Sequence, residues 1–166
     1  MRTRLAVPLV ALAGFALSAC PPAPVGVESL KKFAPASATP LTATGVAADQ
    51  GGWRIDPAGA GPVRLFELAG STCEACRLVY RARVKTLNLP APAYLEMWVR
   101  APDKGEFFSR GLDQKVTGSI DWTSVEIPFF FQKGERADLV KLNVSFQGAG
   151  GSLWIKDVEL LKGPLP

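Results

Sequence analysis

The sequence predicts an all-β protein, an antiparallel sandwich or barrel of about eight strands, and three observations carry that expectation. Apolar and polar residues alternate with period two in segment after segment, the signature of strands buried on one face. Gly- and Pro-bearing turns recur at intervals of about ten residues. No stretch after residue 20 keeps a helical period, and the chain of 166 residues suits one domain with a sizeable core.

The first 20 residues stand apart. Arg2 and Arg4 form a basic start, Leu5 to Leu17 an apolar run, and Leu17-Ser18-Ala19-Cys20 a small-residue cleavage box. These four residues resemble the lipobox of bacterial lipoproteins, which implies that Cys20 is acylated and becomes the mature N-terminus. The apolar run is short for a membrane span. The implied protein sits on a membrane of the bacterial cell envelope through its lipid, palmitate among the acyl chains, without crossing it. An ordinary cleaved secretory signal is the alternative. Residues 21–44, rich in Pro, Ala, Ser and Thr, read as an extended tether, with an edge strand over Val25 to Phe33 as the competing reading. The domain is expected over 45–163.

Loss of the leader lowers the net charge from +4 to +2, and no basic run remains to bind nucleic acid. The chain has no histidine, which removes Ser-His-Asp and Cys-His nucleophilic sites and the commonest metal ligand.

Within the domain, Trp53 to Asp56 and Val63 to Leu68 read as strands. Leu78, Tyr80, Ala82 and Val84 then point one way and Arg81 and Arg83 the other. After a proline-bearing turn expected at Asn88 to Pro92, Ala93, Leu95, Met97 and Val99 alternate with Tyr94, Glu96, Trp98 and Arg100, so the two segments are expected to form a central hairpin. Glu106 to Arg110, Trp122 to Phe131, Leu139 to Gln147 and Leu153 to Leu161 complete the set, the last pair joined through Gly148 to Gly151.

Tyr80-Arg81-Ala82-Arg83-Val84-Lys85, Tyr94-Leu95-Glu96-Met97-Trp98, Gly118-Ser119-Ile120-Asp121-Trp122 and the Gly148-Ala149-Gly150 turn before Leu153 to Leu160 resemble the galactose-binding-like jelly roll. That fold is shared by many non-catalytic carbohydrate-binding modules, so the resemblance implies a jelly-roll sandwich and a binding module. It says little about the ligand, because the matched positions are core and turn residues. In that family a calcium ion often lies near strand ends. Asp56, Asp121 and Asp157 are weak candidates, since calcium takes six to eight oxygen ligands; no other cofactor is expected.

Two constellations invite chemistry. Cys73-Glu74-Ala75-Cys76 runs straight into a strand, whereas a redox pair needs its first cysteine at a helix N-terminus. A local disulfide is the favoured reading and two free thiols the alternative. Tyr94, Glu96, Trp98 and Arg100, with Arg81 and Arg83 expected beside them, form a candidate ligand face, because pyranose CH faces stack on aromatic rings while hydroxyls meet polar side chains. The competing reading pairs Glu96 with an arginine across the sheet and covers Trp98. The expected function is an envelope carbohydrate-binding module. The alternatives are an assembly protein docking an envelope partner through an apolar patch around Phe108 or Phe130, and a small hydrolase with two carboxylates facing across a groove.

Overall fold

The computed structural model describes residues 26–70, 73–102 and 104–166. The leader, Cys20 and the start of the tether lie outside them. Nine strands follow in chain order: β1 (Glu28–Phe33), β2 (Val46–Asp49), β3 (Gly52–Ile55), β4 (Gly61–Ala69), β5 (Glu74–Ala101), β6 (Gly105–Arg110), β7 (Val116–Arg136), β8 (Leu139–Phe146) and β9 (Ser152–Gly163), with one 3₁₀ turn at Leu112–Gln114. All pairings are antiparallel.

The strands form a jelly-roll sandwich of two layers that share β5. Residues 77–87 of β5 lie between β9 and β7, and β9 carries β1 and the β2–β3 hairpin on its far side. Residues 93–100 of β5 lie beside β8, with β6 opposite residues 96–101 and β4 beyond β8. The inward rows of both halves, Leu78, Tyr80, Ala82 and Val84 and then Ala93, Leu95, Met97 and Val99, meet in one core with Ile127, Phe131, Leu142, Phe146, Ile155 and Leu160.

The central hairpin expected at Asn88 to Pro92 is therefore absent. The chain crosses from one layer to the other, and the two halves of β5 pair with different neighbours. Leu89-Pro90 and Ala91-Pro92 explain the difference. A residue before proline is held extended, and proline has no N–H to give a ladder, so two such steps suit an extended crossing between layers better than a tight turn between paired strands. Leu89 is buried at the bend. Thr86 Oγ1 donates to the Gly118 carbonyl at 2.9 Å and accepts from the Ile120 amide, so a buried hydroxyl fastens the bend to β7.

Residues 28–44, expected as tether, belong to the domain. β1 pairs with β9 from Glu28–Lys162 to Phe33–Val158, and Phe33 stacks on Phe66 with ring centroids 4.3 Å apart, tying β1 to β4. Leu41 and Thr42 donate backbone hydrogen bonds to β4. β1 is an edge strand in which Phe33 is buried and Leu30 half-buried against the core while Glu28, Ser29, Lys31 and Lys32 are exposed, which is why it reads as polar linker.

Gln50 and Gly51 both have positive φ and close a two-residue turn between β2 and β3. At Gly52 a Cβ would strike the carbonyl of Ile155, so only glycine lets β3 approach β9 this closely.

Candidate functional site

Outward side chains of β6, the second half of β5, β8 and β4 form one face. In register, Glu96 lies between Arg110 and Asn143, and Trp98 between Phe108 and Lys141; Asn143 faces Arg64, and Lys141 faces Glu67. Glu96, although on the outer side of its strand, is only 1% exposed. It accepts from Arg110 Nε at 2.9 Å, from the Trp98 indole N–H at 2.8 Å and from the Asn143 amide at 3.4 Å, and Arg110 also ion-pairs with it through a second nitrogen. A buried carboxylate costs several kcal/mol unless its oxygens are satisfied, and here they are.

Glu96 thus does not reach out to a ligand; it locks the Trp98 ring and the Arg110 fork in place. Trp98 is half-buried and stacks on Phe108, ring centroids 5.0 Å apart and planes 30° from parallel. Phe108 is 54% exposed, and the Arg110 guanidinium stands 5.6 Å from its centroid. The surface left to a ligand is an aromatic step of Phe108 and Trp98 bordered by Arg110, with Tyr94 further along β5. Asn143 Oδ1 is buried beneath this step without a hydrogen-bond partner.

Arg81 and Arg83 do not join this face. They lie on the half of β5 between β7 and β9, in the other layer. Arg81 pairs with Glu159 at 2.9 Å, and Lys32 reaches the same carboxylate from β1. Arg83 and Lys156 flank Trp122, with Lys156 Nζ 4.0 Å from the ring centroid. Trp154, its indole N–H donating to Asp49 at 2.7 Å, lies beneath Arg54 and Lys85. The candidate face of the sequence is in truth two faces, divided by the crossing in β5. Arg100 sits at the border of the first, paired with Asp138 at 2.8 Å.

Sequence reasoning missed Arg110 and Asn143 as builders of the site. Their signal was present: Arg110 is two residues from Phe108 and shares its face, and Asn143 is an outward position on the cleanly alternating β8 strand. Phe107, the neighbour of Phe108 in β6, is also exposed, at 46%, whereas Phe131 of β7 is buried.

Cys73 and Cys76 are joined as a disulfide, Cα atoms 5.8 Å apart, and both are buried at the start of β5. The three aspartates do not converge. Asp56 is taken by Arg54 and Ser152, the Asp121 carboxylate accepts from the Trp122 amide, and Asp157 sits at a positive-φ position in β9. Among the described residues no group of three or more His, Cys, Asp or Glu side chains could hold a metal ion.

Two carboxylates do share a depression, Glu74 and Glu135, beside Ala101, Lys104 and Arg136. Glu74 accepts from the Gly134 amide at 3.0 Å. Glu135 accepts from the Gln132 amide and pairs with Lys104. The Gln132 amide, helped by Lys104, holds the Glu135 carboxyl below the ordinary carboxylate value. A glycosidase needs one of its two carboxyls raised so that it can donate a proton. The Glu135 carboxyl is shifted the opposite way.

No protein-family model matches the chain, and a search of curated proteins finds no match. Among solved structures, the chain is similar to one described as "CBM4 structure and function", with a TM-score of 0.50 and 12% identity over 72% of this chain and 76% of that one. It is also similar to "Family 16 Carbohydrate Binding Module-2", with a TM-score of 0.49 and 11% identity over 76% and 89% of the two chains. A third is the CBM22-1 xylan-binding domain from Paenibacillus barcinonensis Xyn10C, with a TM-score of 0.47 and 12% identity over 87% and 100%. At these identities the likeness is one of fold.

Proposed function

We propose that this chain is a lipid-anchored protein of the bacterial cell envelope, acylated at Cys20, whose jelly roll is a non-catalytic carbohydrate-binding module. The observation that carries the reading is the Phe108–Trp98 step, an aromatic surface on one sheet face with Phe108 exposed and Trp98 half-buried, held by the buried Glu96 and its partner Arg110. A sugar ring gains from stacking its CH face on such a surface, and Arg110 supplies fixed donors for a hydroxyl or carboxylate beside it. The likeness in fold to the structure described as "CBM4 structure and function" is in keeping with a binding module.

The test is glycan-array screening of the acylated protein in detergent, followed by calorimetry on the best ligand. Phe108→Ala is the discriminating variant: its side chain is exposed, so folding should be unaffected while affinity falls about tenfold, on the order of 1.4 kcal/mol. Trp98→Ala is less decisive, because the indole N–H also satisfies Glu96. Unchanged affinity in Phe108→Ala would remove this face from the reading. For the anchor, labelled palmitate should enter the wild type and not Cys20→Ser.

A further inference from the structure

We infer that the end of the sandwich bearing Phe107 and Phe130 rests on the lipid surface that holds the N-terminus; the inference rests on the acylation of Cys20 proposed above. Its first support is the place from which the domain is tethered. Gly26 and Val27 pack at Gly163, beside the Arg77 guanidinium. From there one line of register runs across the layer, from Glu28 to Lys162, from Lys162 to Leu78 and from Leu78 to Phe129, the neighbour of Phe130. Three strand spacings make that line about 15 Å long. The chain between Cys20 and Gly26 can span at most about 22 Å even when fully drawn out. A tether that short keeps this end of the sandwich near the bilayer, and at such effective concentration even a weak surface contact is populated.

The second support is what that end displays. Phe107 from β6 and Phe130 from β7 are 46% and 43% exposed, and with Phe129 they line a cleft of about 170 Å³ between the layers. Val27, at the tether itself, is 53% exposed. Such a cleft is small for a folded ligand, but its rim of rings suits the boundary between headgroups and acyl chains.

The third support is charge. Glu135 and Asp138 at this end are neutralised by Lys104 and Arg100. Lys133, Arg136 and Lys162 make no ion pair among the described residues, and neither do the carboxylates Glu28, opposite Lys162, and Glu74, so three unpaired cations there stand against two unpaired anions. Uncommitted cations around exposed rings fit an anionic lipid surface. With this end down, the strands of β5 rise from the membrane, and Tyr94 lies further from the lipid than Phe108.

The experiment uses the full acylated protein in bicelles of phosphatidylethanolamine and phosphatidylglycerol doped with a gadolinium-chelating lipid, read by amide relaxation. Enhancement should be several-fold stronger around Phe107 and Phe130 than at Asn88 and Gly118, at the opposite end. The double variant Phe107→Ser/Phe130→Ser alters exposed positions only; it should still incorporate labelled fatty acid but lose most of that gradient. Acylated protein with uniform enhancement, or a gradient unchanged in the double variant, overturns the docking while leaving the anchor intact. Absence of fatty acid from the wild type instead overturns the anchor reading. A photoreactive residue at position 130 that crosslinks in cells to a protein rather than to lipid would also overturn the docking, in favour of a protein partner.

Discussion

From Arg77 to Lys85 and again from Ala93 to Arg100, β5 sends apolar side chains inward and polar ones outward, yet the outward rows have different fates. In the first half Arg81 meets Glu159, whose side chain is 11% exposed, while Arg83 and Lys85 cover tryptophans from neighbouring strands. In the second half Glu96 is sealed beneath Arg110, its side chain 2% exposed, and the tryptophan belongs to the strand itself. One face is therefore closed over by its own cations, and the other leaves Phe108 open. Alternation decides which side of a sheet a residue occupies, whereas the strands laid alongside decide what it meets there.

Both halves feed a single core, which gives the largest expected effect. Leu78→Ala and Met97→Ala should each cost about 2 to 5 kcal/mol by denaturant unfolding, because both side chains are fully buried. A loss confined to one of them would mean that the layers do not share a core.

Next come the two arginine–glutamate pairs. Arg110→Ala leaves a buried carboxylate without its cation and should cost about 3 kcal/mol. Arg81→Ala removes a side chain that is 47% exposed and should cost under about 1 kcal/mol. Equal losses would erase the distinction between the sealed pair and the open one.

Acid sharpens the same contrast. Burial opposes the charge on Glu159, but hydrogen bonds from Ser29 and Arg81, with Lys32 nearby, hold its carboxyl below the ordinary value of 4.5. A folded value below the unfolded one stabilises the protein above about pH 4.5, and that contribution disappears as the pH falls through the lowered value. Glu159→Gln should flatten this part of the acid profile measured by thermal unfolding; an unchanged profile would mean that other carboxylates carry it.

The smallest effect belongs to Tyr80 in the first half. Its hydroxyl is buried without a partner, and burial pushes its ionisation far above the usual phenol range. Tyr80→Phe should be neutral or stabilising by about 1 kcal/mol, since it removes an unsatisfied group and keeps the ring. A clear loss of stability would show that the hydroxyl has a partner after all.

By itself the sequence determined the all-β character, the positions of most strands and the inward rows of β5, because period-two alternation is a local consequence of the pleat. The Cys73–Cys76 staple was expected on other grounds, the oxidising compartment that the leader implies. Tertiary structure alone decided which strands became neighbours. The Asn88–Pro92 segment held two proline steps that fit either a turn or a crossing, and the crossing was selected by β9 and β8, which bind opposite halves of β5 from distant parts of the chain. That choice separated Arg81 and Arg83 from Tyr94 and Trp98, brought Arg110 onto Glu96, and drew Glu28–Phe33 into the sheet through one buried phenylalanine. Pairing is non-local, and a polar edge strand shows no alternation until the strand it completes is in place.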